Sequence, residues 1–306
     1  MRNDFVDELG ALAAVDDRVM LLTGDLGFMV LEDFQARFPE RFINCGAAEQ
    51  NMVGVATGLA EAGMVPFVYS IATFSSLRPY EFIRNGPVLH GLPVRVVGIG
   101  GGFEYGHNGV THFALEDYAV MRAQPAMTTV APADADQARA ALRATADHAH
   151  PIYFRIGKLP DPLPGLNGRF QLGRMVTLRE GSDGAIVAIG AVAHEAVRAA
   201  DLLEQQGINV SVGVVSSFNP SPAEDVAELL AEAPAALTVE AHYVNGGLGS
   251  FVAETIAEHG LGCRLLRAGV ESMPAGEAGS QAFLEDRHEL AASHLAERLQ
   301  RALTTV

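Results

Sequence analysis

The sequence has no tryptophan and only two cysteines among its 306 residues. Cys45 and Cys263 lie far apart and match no metal-ligand spacing, which excludes a disulfide scaffold and is typical of a reducing compartment. Apolar residues occur in short stretches, none near the roughly 18 residues that a membrane helix needs. The first residues carry acids where a secretory signal would be basic and then apolar. These absences predict a cytoplasmic protein with no membrane partner.

Basic residues are also scarce. Lys and Arg total 21 against 37 Asp and Glu, which gives a net charge of −16. A chain of this charge repels phosphate backbones, so we expect no nucleic-acid partner. If the substrate is anionic, the few Arg and His residues that bind it must be concentrated locally, against the average field of the protein.

The length and the order of patterns predict an α/β fold with two domains. Short apolar runs alternate with helical periodicity, for example a helix over 5–16, a strand from Val19 and a strand over 65–74. Such alternation indicates a parallel sheet covered by helices. The segment GKLPDPLPGLNGRF is rich in Pro and Gly and is typical of a linker. We therefore place a first domain at 1–160, a linker at 157–170 and a second domain at 171–306.

The candidate catalytic residue is Glu49, which begins a predicted helix directly after a predicted strand and four small, uncharged residues. Burial among these neighbours would disfavour ionisation and let the carboxyl group hold a proton near neutral pH. The alternative is an acid that stabilises the helix N-terminus through the macrodipole. Position alone favours this simpler interpretation.

Several motifs in a fixed order change that balance. GAAEQNM at 46–52 is followed by a predicted strand ending in ATF and by an aromatic residue six positions later. This arrangement resembles the pyrimidine-binding domain of transketolases. GHNGVTHF and PADADQ resemble the substrate loop of transketolase and of 1-deoxy-D-xylulose-5-phosphate synthase, and TVEAHYVNGGLGS and SMPAGEAGSQAFL resemble the C-terminal domain of these enzymes. The resemblance covers nearly the whole chain.

The resemblance implies a thiamine diphosphate site. Glu49 would hydrogen-bond the pyrimidine ring of the cofactor and favour its imino tautomer, while the cofactor carries the carbanion. Phe74 would stack on that ring, Tyr80 would be a second aromatic of the pocket, and Leu77 stands where transketolases often have an aromatic residue. Core packing is the alternative for the two aromatics. Asp25, after the first strand, resembles an acid near the cofactor, with a helix cap as its alternative.

The same resemblance implies substrate-binding residues. His112 would contact the substrate oxygens and shuttle protons, a role suited to a near-neutral pKa. Arg155, at the end of the strand in PIYFRIGK, matches a phosphate-binding Arg, with a surface position as the alternative. Asn108 replaces an acid, Gly100 stands where a phosphate-contacting His is expected, and His107 is an additional base. We assign glycines 246, 247 and 249, which can also cradle an anion, to tight packing.

A Gly-Asp-Gly motif and a downstream Asn bind the diphosphate and its metal in full-length members of the family. This sequence lacks both, so the resemblance implies a partner chain that holds Mg²⁺ or Ca²⁺, and an α2β2 heterotetramer. We expect transfer of a two-carbon ketol unit from a ketose to an aldehyde. The competing hypotheses are acyl transfer or decarboxylation of a pyruvate-like donor, as in 1-deoxy-D-xylulose-5-phosphate synthases and 2-oxo acid dehydrogenase β subunits, and a non-catalytic scaffold subunit.

Overall fold

Seven apolar strands build the first sheet of the computed structural model, which describes residues 1–158 and 161–304. The strands are β1 (Val19–Thr23), β2 (Phe42–Asn44), β3 (Val65–Ile71), β4 (Arg95–Ile99), β5 (Thr128–Val130), β6 (Ile152–Ile156) and β10 (Ser217–Phe218). Their order is β10–β5–β6–β4–β3–β1–β2 and all are parallel except β10. Four of them (β1, β4, β5 and β6) are buried along their whole length, because helices cover both faces of the sheet.

The helices of this half follow the strands, as the alternating pattern predicts. They are α1 (Arg2–Val15), α2 (Glu32–Arg37), α3 (Glu49–Glu61), α4 (Ala72–Leu77), α5 (Tyr80–Ile83), α6 (Asp117–Arg122) and α7 (Ala135–Ala144). A π-helical turn, Arg84–Val88, continues α5, and 3₁₀ turns cover Pro39–Arg41, Gly106–Asn108 and Val110–His112. No helix within the described ranges combines the length and hydropathy that crossing a bilayer requires.

The predicted strand over 65–74 is wrong in its last three residues. β3 ends at Ile71, where its pairing with Ile99 of β4 also ends, and α4 begins at Ala72. The hydroxyl of Ser76 donates to the carbonyl of Ala72 at 2.6 Å, a back-bond typical of Ser inside a helix. The consequence for the site is that Phe74 lies on a helix.

The second sheet has five strands, of which four run parallel. The strands are β7 (Met175–Arg179), β8 (Gly184–Ile189), β9 (Val210–Val215), β11 (Ala235–Tyr243) and β12 (Arg264–Val270). Their order is β12–β11–β8–β9–β7, with only β7 antiparallel. The helices around the sheet are α8 (Ala193–Glu204), α9 (Ala223–Leu230), α10 (Leu248–His259), α11 (Gln281–Arg287) and α12 (Ala292–Thr304), with a 3₁₀ turn at Gly190–Val192. Both sheets with their helices give the α/β class that the sequence predicts.

The two halves of the chain share structure. β10 comes from the second half but pairs with β5 at the edge of the first sheet. The segment predicted as a linker is also packed: Leu163 and Leu166 are buried in the core of the second sheet, and the Leu163 N–H donates to Asp134 Oδ2 at 2.8 Å. Leu159 and Pro160 of that segment lie outside the described residues. The halves are thus joined by a strand and by an apolar connector.

Candidate active site

The first residue of α3 is the centre of the candidate site. Glu49 is 2 % exposed, and it lies beyond the carboxyl ends of β1 and β3, which are neighbours in the sheet. Ser70 near the end of β3 donates its hydroxyl proton to Glu49 Oε1 at 3.2 Å. Polar groups at the carboxyl edge of a parallel sheet are the usual setting of an α/β ligand site.

The expectation that no charge competes for Glu49 is wrong. Arg78 Nη1 donates to Glu49 Oε1 at 3.1 Å and to Oε2 at 2.9 Å, although the Arg78 side chain itself is 45 % exposed. Sequence reasoning missed this residue because it follows Glu49 by 29 positions. Its spacing from Phe74 is four residues, the separation at which side chains of a helix share a face.

Phe74 connects the carboxylate to the substrate loop. The guanidinium carbon of Arg78 lies 3.9 Å from the centroid of the Phe74 ring, and the ring of His112 lies 5.1 Å away in an edge arrangement. Phe74 is half-buried at the end of the sheet, so simple core packing does not describe it. We call Glu49, Ser70, Phe74, Arg78 and His112 the Glu49 cluster.

His112 is held by its own loop and by the second half of the chain. The Val110–His112 turn places His112 Nδ1 3.0 Å from the hydroxyl oxygen of Thr111. The carbonyl of Gly106 accepts a hydrogen bond from the Gly279 N–H at 3.1 Å, which ties the loop to the SMPAGEAGS segment. His107 and Asn108 are exposed on the same loop. The loop is therefore fixed at its base, with two polar side chains at its outer rim.

Gly100 is a position where no side chain fits. Its φ is +77°, and a Cβ there would lie 2.3 Å from Cε2 of Tyr105. The Tyr105 ring in turn lies 6.4 Å from the ring of His112. The aromatic ring thus fills the place in which the family resemblance would put a phosphate-contacting His.

The remaining cofactor-binding candidates surround the cluster at greater distance. Asp25 is exposed, and its Oδ1 accepts from Asn44 Nδ2 at 3.1 Å. Its alternative as a helix cap is wrong, because the next helix begins only at Glu32. Leu77 is 39 % exposed, and the hydroxyl of half-buried Tyr80 accepts a hydrogen bond from the side chain of Gln124.

Arg155 is buried rather than presented at a surface, so its predicted surface alternative is wrong. It is 6 % exposed, and its Nε lies 2.9 Å from Asp117 Oδ2. Its Nη2 donates to the carbonyls of Ala114 at 2.6 Å and Ala241 at 2.9 Å, and its guanidinium stacks on Tyr118. A substrate anion would have to displace these partners, which argues against direct phosphate binding by Arg155.

The glycine-rich turn before α10 encloses a carboxylate of the chain itself. Glu240 accepts hydrogen bonds from the N–H groups of Leu248 at 2.7 Å and Gly249 at 2.8 Å. A Cβ on Gly247 would lie 1.9 Å from Glu240 Oε2. Burial raises the pKa of Glu240 to about 7, against the opposing effect of these backbone donors. The turn is occupied by Glu240, in keeping with its assignment to tight packing.

Two further carboxyl groups line a small cavity between the halves of the chain. Burial raises the pKa of Glu104 to about 7 and that of Glu285 to about 7, and each is raised further by another carboxylate. In the unfolded chain such a group titrates near 4.5. Between about pH 4.5 and 7 the unfolded chain therefore releases its proton first, and the free energy of unfolding falls as the pH rises.

Glu285→Gln is expected to stabilise the protein at pH 8 by about 1 kcal/mol, or roughly 2–4 °C in Tm, and to have little effect at pH 5. The reason is that Gln removes the cost of ionising a buried group. Thermal unfolding of both proteins at the two pH values measures this. Glu258→Gln, at an exposed position on α10, is the control. Equal shifts at both pH values would show that the Glu285 carboxyl does not titrate in this window.

Comparison with known proteins places the chain in a family. Residues 1–160 match the model of the transketolase pyrimidine-binding domain, and residues 173–295 match that of the transketolase C-terminal domain. The chain therefore belongs to the transketolase family.

Its similarity is to separate subunits of such enzymes. The second of the lettered subunits of an apulose-4-phosphate transketolase from Phocaeicola vulgatus is 35% identical over 90% of this chain and 90% of its own length. The 6-deoxy-6-sulfo-D-fructose transketolase subunit SqwH from a Clostridium species is 36% identical over 96% of the chain and 92% of its own length. The chain spans only about half the length of the similar 1-deoxy-D-xylulose-5-phosphate synthases.

A solved structure gives the same relationship. A split-gene transketolase in the form of an inactive β4 tetramer superposes with a TM-score of 0.90 at 35% identity, covering 99% of this chain and 98% of that one. The predicted resemblance to split transketolases is thus confirmed, together with the α/β fold. Relatives of this kind are subunits, which supports a partner chain.

Proposed function

We propose that this chain is the C-terminal subunit of a two-component, thiamine diphosphate-dependent transketolase. With its partner it transfers a two-carbon ketol unit from a ketose donor to an aldehyde acceptor. The observation that carries the proposal is the Glu49 cluster, in which a buried carboxylate, an aromatic face and a loop His meet at the carboxyl edge of the sheet. Reconstitution with the partner and assay of ketol transfer between sugar phosphates tests it.

The residues present fit the pyrimidine half of thiamine diphosphate. Glu49 offers a carboxylate to a ring nitrogen, and Phe74 offers a ring for stacking. A planar group that bears N–H donors, the guanidinium of Arg78, already contacts both. When bound, the cofactor supplies a nucleophilic carbon and an electron sink. Glu49 would hold the proton on the ring nitrogen, and Phe74 would fix the plane of the ring.

His112 is proposed to hold and move a proton at a substrate oxygen. Its Nδ1 faces the hydroxyl of Thr111, which leaves Nε2 available to a substrate, and the ring stands beside Phe74. An imidazole suits this task because both of its protonation states are accessible near neutral pH. His107 and Asn108, exposed on the same loop, are proposed to contact the outer part of the substrate, and Asp25, Leu77 and Tyr80 to line the cofactor side.

The partner is proposed to hold the diphosphate and its Mg²⁺ or Ca²⁺. The face that we assign to it is an apolar groove beside α3, with a volume of about 380 Å³, lined by Gly54, Thr57, Glu81, Phe82, Asn85 and Gly86. Phe82 is 44 % exposed there, and Gly54 is exposed on α3. This groove lies on the helix that begins with Glu49, so a chain that packs here reaches the site. We propose two copies of each chain in the assembly.

Phe82→Asp is expected to weaken association with the partner about 100-fold, because a charge replaces an apolar anchor at the centre of the groove. Sedimentation or size-exclusion analysis of the mixed chains measures it. Val15→Asp changes an equally exposed apolar residue on α1 and serves as the control. If both variants assemble like the unchanged protein, the partner does not use this groove.

The chemical class of the donor is open to two proposals. The relatives act on apulose 4-phosphate and on 6-deoxy-6-sulfo-D-fructose, two anionic sugars, which supports ketol transfer. Two observations favour a smaller, pyruvate-like donor: Tyr105 covers Gly100, and Arg155 is engaged by Asp117. Assays of the reconstituted enzyme with pyruvate and with ketose phosphates separate the two. Release of carbon dioxide from pyruvate would replace ketol transfer by acyl transfer.

A further inference from the structure

The guanidinium of Arg78 makes the two contacts that the proposed function assigns to the pyrimidine ring of the cofactor. It spans both oxygens of Glu49, at 3.1 and 2.9 Å, and its carbon lies 3.9 Å from the Phe74 centroid. A second planar group cannot stack on the same face at this distance. Ring and guanidinium therefore exclude each other.

Arg78 suits this position because a guanidinium is flat, stacks on aromatic rings and donates from several N–H groups. Its placement follows from the helical path of α4: Phe74 and Arg78 are four residues apart, and Arg78 has helical backbone angles of −59° and −49°. The pair shares one face of the helix, directed at Glu49.

Burial explains why Glu49 needs this partner. A carboxylate that is 2 % exposed is costly without a compensating charge, and Ser70 supplies only one neutral hydrogen bond. The Arg78 side chain is 45 % exposed, so it can swing into solvent without crossing the core. One end of the ion pair is thus fixed and the other is free to leave.

We infer that Arg78 is a placeholder that occupies the pyrimidine position in the chain without cofactor and must leave when thiamine diphosphate binds. The inference rests on the proposed function. It adds a cost to cofactor binding, because the ion pair with Glu49 is broken first. It also keeps the chain stable before the site is complete. A merely structural ion pair would behave differently, because its removal would not help the cofactor.

The first test is the affinity of the isolated full-length chain for thiamine diphosphate, followed by saturation-transfer NMR at the pyrimidine methyl protons. Arg78→Ala is expected to bind about tenfold more tightly than the unchanged chain. Arg84→Ala, an exposed Arg on the following turn, is expected to change nothing. Unchanged or weaker binding by Arg78→Ala, or none at millimolar cofactor, in a variant that is folded by circular dichroism overturns the inference.

The second test needs no cofactor. Arg78→Ala is expected to lower Tm by several degrees when Glu49 is present, and by less than about 1 °C in the Glu49→Gln background, where no buried charge remains. Equal losses in both backgrounds overturn the inference. Glu49→Gln also separates the two proposals. If thiamine diphosphate binds as tightly without the Glu49 carboxylate, the proposed function fails; if Glu49→Gln abolishes binding but Arg78→Ala gives no gain, only the placeholder fails.

Discussion

Replacing Glu49 by Gln is expected to lower kcat of the reconstituted enzyme about 1,000-fold. Gln fills the same volume at the start of α3 and can accept the hydrogen bond from Ser70, so the fold should persist. It cannot exchange a proton with a ring nitrogen, however, and the tautomer that the proposed mechanism requires would no longer be favoured. Steady-state assays of the purified pair measure the effect.

A matched control comes from the other end of the same helix. Glu61→Gln alters an exposed carboxylate at the last residue of α3 and is expected to leave kcat unchanged. Assembly of both variants with the partner is checked in parallel. If Glu49→Gln retains full turnover in an intact complex, the catalytic assignment is wrong, and a scaffold subunit whose chemistry resides in the partner becomes the better account.

His112→Ala is expected to lower kcat/KM about 100-fold and to remove one limb of the pH–rate profile. The imidazole is proposed to move a proton at a substrate oxygen, and the methyl group of Ala cannot. The exposed His107 on the same loop provides the comparison: His107→Ala is expected to raise KM with little change in kcat, because it is placed at the rim. Should His107→Ala cause the larger loss of kcat, the two roles must be exchanged.

The sequence was sufficient to predict the fold class and to select Glu49, Phe74 and His112. Short apolar runs that alternate with helical periodicity leave few arrangements other than a parallel sheet with helices. The three residues were found through ordered motifs rather than through any property of each side chain alone. The structure brings them together at one edge of the sheet, as that order implied.

Arg78 was not predicted because one boundary was misplaced. With 65–74 taken as a strand, Phe74 and Arg78 have no reason to share a face, whereas a helix from Ala72 aligns them. The signal was the pair of serines after Phe74, which are neutral to unfavourable in strands and back-bond within a helix turn. Local propensity is weak there, since tertiary packing decides where β3 ends.

The environment of Arg155 was equally inaccessible to sequence reasoning. Its partners are Asp117, the carbonyl of Ala114 and the carbonyl of Ala241, the last of which belongs to β11 of the second sheet. Such contacts depend on how the two halves of the chain pack, and periodicity describes only single elements. The same holds for Ser217–Phe218, a two-residue strand that crosses to the first sheet.

The most direct test of the central claim is the rate of deuterium exchange at C2 of thiamine diphosphate bound to the assembled enzyme, followed by NMR after acid quench. The account predicts rapid exchange in the unchanged enzyme and exchange at nearly the rate of free cofactor in the Glu49→Gln enzyme. Equally rapid exchange in both would show that the Glu49 carboxylate does not activate the cofactor.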